Sequence, residues 1–119
     1  MDITSTKLDA IFYRTETGSE PVRDWLKELS KADKKAIGED IKTVQFGWPL
    51  GMPLVDNLGQ GLWEVRVKLT GKRIARIIFF MDNDNMILVN GFIKKTQKTP
   101  KQELDLEKKR KKLYEQSIK

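Results

Sequence analysis

The chain has 119 residues, enough for one compact domain spanning residues 1–119 and short for two. It contains no cysteine and no histidine, which excludes a disulfide framework, thiolate chemistry and the commonest base and metal ligand at neutral pH. Its net charge of +6 is not spread evenly: residues 1–93 hold thirteen basic and thirteen acidic side chains, and residues 94–119 ten basic and four acidic.

Such a tail points to a polyanionic partner, to an acidic protein that covers it, or to a solubilising helix face. No apolar run reaches the roughly 18 residues of a membrane span. The start, MDITSTKLDA, lacks the charged and apolar regions of a secretory signal. A cytoplasmic protein with no membrane partner is expected.

In chain order, LDAIFYR (8–14) is rich in β-formers and reads as a first strand, broken by TETGSEP. Ser19 or Glu20 is placed to cap a helix whose Pro21 sits in the first turn, where a missing N–H costs nothing. Val22, Trp25, Leu26 and Leu29 follow at i, i+3, i+4 and i+7, an apolar stripe. A second helix is predicted from about Ala32, with Ile37, Ile41 and Val44 on one face, stopped by Gly47 and Pro49. The stretch from Gly47 to Gly61 reads as a loop.

Beyond it the period becomes two. In LWEVRVKL (62–69), Trp63, Val65, Val67 and Leu69 share one face, and Glu64, Arg66 and Lys68 the other. TGK is a turn, RIARIIFFM a strand, DNDN a second turn, and MILVNGFI a third strand of the meander. Thr99 and Pro100 then open a basic helix to about Gln116, with Leu106 and Leu113 as its apolar contacts. The expected fold is α+β, ordered β-α-α-β-β-β-α, with an antiparallel sheet, two N-terminal helices on one face and the basic helix at the end. The second face should stay open and carry the chemistry.

On that face Arg66 and Arg76 should sit at similar heights across the TGK turn. An arginine flanked by Ala75, Ile77, Ile78 and Phe79 needs an anionic partner. It is either a structural ion pair with Glu64 or a rigid ligand for a phosphate. Asn90, Phe92 and Lys94 share one parity on the last strand. Lys94, Lys95, Lys98 and Lys101 crowd its exit, with Thr96, Gln97 and Thr99 between them, just before a helix N-terminus whose dipole they oppose. That exit is either a solvated lysine-rich loop or half of a phosphate site. Clustered cations lower the pKa of a lysine among them, and RNA brings its own nucleophile in the 2′-OH. A ribonuclease without histidine, metal or cofactor is therefore chemically coherent.

The segments LWEVRV, RIARIIFF and LVNGFIKKTQKTPKQELDLEKKR, with the GSEPVRDWLKEL helix, resemble the HigB-like, phage-derived branch of the RelE/ParE type II toxin superfamily. The likeness runs from about Tyr13 to Arg110, and Phe92–Pro100 is its most specific piece. The resemblance implies the RelE-like, microbial ribonuclease-type fold and an endoribonuclease that cleaves mRNA, commonly on the ribosome. It implies a cognate antitoxin, typically a helix-turn-helix protein through which operator DNA is bound. In that picture Arg66 and Arg76 hold the scissile phosphate, and Lys94 or Lys95 transfers the proton. Glu64 is a weaker base candidate, Gln97 and Lys98 contact substrate, and Lys68 and Arg73 contact more distant phosphates. Asn90 stands where many relatives have His, and Ala75 where they often have Tyr. The alternatives are a toxin that blocks a protein target such as gyrase, as the ParE branch does, and an inactive basic protein that only binds RNA or an antitoxin.

Overall fold

The computed structural model describes residues 7–94 and 101–118, with the backbone alone for Lys94. Strands β1 (Asp9–Phe12), β2 (Val55–Gly59), β3 (Leu62–Lys68), β4 (Ile74–Asp82) and β5 (Asn85–Lys94) form one sheet in the order β1-β5-β4-β3-β2. Helices α1 (Pro21–Lys27) and α2 (Lys31–Gly47) lie between β1 and β2, and α3 (Lys101–Ser117) follows β5. No described helix is long and apolar enough to cross a membrane.

Two corrections to the expected topology come from strand pairing. The sheet is mixed, because β1 pairs with β5 in parallel while the other neighbours are antiparallel. And the stretch expected to be all loop contains β2, an edge strand whose sequence VDNLG shows little alternation. It is held by pairing to β3, with Val55 opposite Val65 and only 1% exposed. The order is therefore β-α-α-β-β-β-β-α. Helix α1 starts on Pro21 as the sequence predicts, but Glu20 makes no side-chain cap and instead pairs with Arg14 and Arg23. Helix α2 starts one residue earlier than expected, where the Ser30 hydroxyl accepts the Asp33 N–H at 3.1 Å.

The period-two pattern sorts side chains onto the two faces. Val65, Val67, Ala75, Ile77, Phe79, Met86 and Leu88 face α1 and α2 and meet Val22, Ile37, Ile41 and Val44. Trp25 seats directly on Gly91: a Cβ there would lie 2.4 Å from the indole, so any side chain would expel the ring. The other face is covered too, contrary to expectation. Leu62, Ile78, Phe80, Ile87, Val89 and Tyr13 form a second buried cluster, against which α3 lays Tyr114, edge-on to Phe80 at 5.2 Å.

A β-bulge sets the register on this second face. Ile78 pairs with Asn90 but Phe79 pairs with Leu88, so Val89 has no opposite residue. The extra residue shifts the parity of β5, so that Asn90 and Phe92 lie on the same face as Ile78 and Arg76 while Leu88 faces the helices.

Candidate functional site

The second face holds an unusual set of buried polar groups. Glu64 from β3, Arg76 from β4, Asn90 from β5 and Glu107 from α3 are all at most 7% exposed. The two arginines lie directly opposite each other, since the short turn at Thr70–Lys72 pairs Arg66 with Arg76. Two guanidinium groups that close repel unless an anion lies between them, and Glu64, on the same face two residues from Arg66, supplies it. Its Oε1 accepts a hydrogen bond from Arg76 Nη1 at 2.8 Å and lies 3.7 Å from Arg66 Nε. Of the three, Arg66 reaches solvent, its side chain being 19% exposed against 3% for Arg76 and 0% for Glu64. Beside it a shallow cleft of about 280 Å³ is lined by Arg66, Lys68, Asp40, Pro53 and Leu54.

Helix α3 completes the site from above. Asn90 donates from Nδ2 to Glu107 Oε2 at 2.9 Å. The other Glu107 oxygen is buried with no hydrogen-bond partner among the described residues. Burial pushes the Glu107 carboxyl up to about 7; the Asn90 hydrogen bond opposes this, and the charges of Glu103 and Glu64 add to it. Arg110 donates to the carbonyl of Val89 at 2.6 Å, so the bulge residue gains an acceptor contact from the helix. Tyr114 donates its hydroxyl to Asp82 at 2.7 Å, and burial with this bond raises the phenol to about 12.

Of the residues expected from sequence, Glu64, Arg66 and Arg76 are brought together, with exposed Lys68 on the same strand face. Arg73 is not among them. It turns toward α2, where it donates to both Asp33 oxygens at 2.8 and 3.0 Å, an ion pair that ties the start of β4 to α2. The Lys94 side chain, Lys95, Gln97 and Lys98 lie outside the described residues, as do Thr99 and Pro100.

Sequence reasoning missed Glu107. Leu106 and Leu113 are the expected inward contacts of α3, but Leu113 is 38% exposed and Glu107 fully buried. The inward groups Glu107, Arg110 and Tyr114 are spaced i, i+3 and i+7, a helical stripe written in polar residues, and an apolar-periodicity search passes over it.

The sequence matches the family described as phage derived protein Gp49-like (DUF891) over residues 24–118, most of the chain. No curated protein matches it closely enough to count as a relative.

Proposed function

The chain belongs to the phage-derived, Gp49-like family, and on that premise we propose that it is the toxin of a type II toxin–antitoxin pair, a HigB-like endoribonuclease that cleaves mRNA on the ribosome. The observation that carries this reading is the facing arginine pair, Arg66 opposite Arg76, held on rigid strands with Glu64 between them. In the reaction the 2′-oxygen attacks the adjacent phosphorus and loses its proton to a base. The P–O5′ bond breaks, and the departing 5′-oxygen takes a proton. The products are a 2′,3′-cyclic phosphate and a 5′-hydroxyl. Arginines fixed on a sheet suit the charge that builds on the phosphoryl oxygens.

Arg66 meets the phosphate first, because its side chain reaches solvent while Arg76 is 2% exposed. Arg76 backs it and holds Glu64 in place. Lys94 and Lys95 are the proton-transfer groups of this proposal, with Lys98 and Gln97 as substrate contacts. A helix-turn-helix antitoxin would neutralise the protein and bring it to operator DNA. The burial of Arg76 against Glu64 favours one second reading, a toxin that acts by blocking a protein target, since a neutralised pair needs no RNA to explain it.

Primer extension on cellular mRNA after brief induction separates the two readings. Arg66→Ala is the informative variant: its only ion pair among the described residues is the long one, whereas Arg76→Ala removes the 2.8 Å partner of a buried carboxylate and perturbs folding as well. New 5′ ends within reading frames, lost in folded Arg66→Ala, support the nuclease. Growth arrest with intact mRNA supports the protein-target reading.

A further inference from the structure

On the opposite side of the sheet from the arginine pair, α1, α2 and the end of β1 line a cleft of about 360 Å³. Its floor is apolar, with Phe12, Leu26 and Ile37, and Arg23, Lys27 and Lys34 stand on its lining. Arg23 shares Glu20 with Arg14. Lys27 and Lys34 form no ion pair among the described residues. An apolar trough edged by uncompensated cations complements an apolar stripe edged by carboxylates.

Gly38 lies within α2 and lines the same cleft. Glycine weakens a helix interior, and a Cβ at this position would meet nothing within 4 Å. No contact within the chain therefore calls for glycine here. A bare backbone on the wall of an open trough lets a partner approach closely.

From these features we infer that the α1–α2 cleft docks an acidic amphipathic helix of a protein partner, its apolar stripe on Phe12, Leu26 and Ile37 and its carboxylates toward Lys27 and Lys34. A second copy docking through α3 is disfavoured, because its KKRKK run at residues 108–112 would meet the same sign of charge. The inference stands apart from the nuclease reading, since none of these residues lies on the face that carries Arg66.

The test measures binding to the full chain by fluorescence anisotropy, using a labelled helical peptide with leucines at i, i+3, i+4 and i+7 flanked by glutamates. The controls are the same peptide with lysines in place of the glutamates, and a single-stranded oligouridylate as competitor. The acidic peptide should bind saturably, at least about tenfold more tightly than the basic one, and should weaken with salt. Gly38→Leu fills the trough and should weaken binding about tenfold or more without lowering the melting temperature. Lys27→Glu combined with Lys34→Glu should weaken it comparably. Equal binding of both peptides, an unchanged affinity in Gly38→Leu, or displacement by the oligouridylate would each overturn the inference.

Discussion

The two faces of one sheet are built from the same strands by opposite chemistry. Toward α1 and α2 the strands present Val65, Val67, Ala75, Ile77, Phe79, Met86 and Leu88, an apolar layer with its ion pair, Asp33–Arg73, at the margin. Toward α3 they present Leu62, Ile78 and Ile87 interrupted by Glu64, Arg76 and Asn90, and the covering helix adds Glu107. Apolar packing is insensitive to pH and tolerates changes that conserve volume. A buried polar network is conditional: each member depends on its partner, and losing one leaves another stranded. The helical face holds the fold together, and the α3 face is the one whose closure depends on charge.

The contrast is broken most severely by Arg76→Ala. Removing one member of a buried pair should cost about 3–5 kcal/mol in urea unfolding. The double change Glu64→Leu with Arg76→Met should cost clearly less than that single substitution. If the double variant is the less stable, the pair is worth more than its desolvation and the contrast between the faces weakens.

Glu107 sharpens the comparison through pH. Its carboxyl is raised from an ordinary value of 4.5 to about 7, so protonation favours the folded, closed form. The contribution is therefore full below about 4.5 and is lost as pH rises through about 7. Glu107→Gln should remove that slope and gain on the order of 2–3 kcal/mol over wild type at pH 8, with little difference at pH 4. Urea midpoints at the two pH values measure it. A wild-type curve flat from pH 4.5 to 8 would show that the carboxyl is not desolvated.

The ion pair of the helical face should behave with the opposite sign. Hydrogen bonds from Arg73 hold Asp33 below its usual range, against the effect of burial. Its contribution is present above the ordinary aspartate value and is lost as pH falls through the lowered one. Asp33→Asn should reduce the acid-side loss of stability, followed by ellipticity from pH 5 to 2, with a smaller effect at neutrality than Arg76→Ala. The smallest change belongs to Gly38→Ala, which should raise stability by about 0.5–1 kcal/mol through helix propensity alone, read as a higher melting temperature.

Much of this was legible in the residues. The alternation in LWEVRVK and the apolar run IARIIFFM set two strands, and the short connection TGK brought Arg66 opposite Arg76 because a tight turn leaves little freedom of register. Glu64 as the counter-ion of Arg76 was one of two readings, and it is the contact observed. Pro21 and Gly47 marked helix ends through rules that act within a few residues, while the Ser30 cap of α2 went unread. Those features are local, and local sequence determines them.

Other features depended on distant partners. VDNLG is a strand because β3 lies beside it, and little in its own pattern says so. Arg73 shares the parity of Ala75 and Ile77, and the anion it meets on that side is Asp33 of α2, forty residues away in sequence. The bulge at Val89 turns Asn90 under Glu107, and α3 closes over the face that the strand pattern alone left open. A carboxylate in a highly charged helix looks solvated until the helix is packed. Only the tertiary structure decides which charges lose their water, because desolvation is set by what lies above a residue in space and not by its neighbours in the chain.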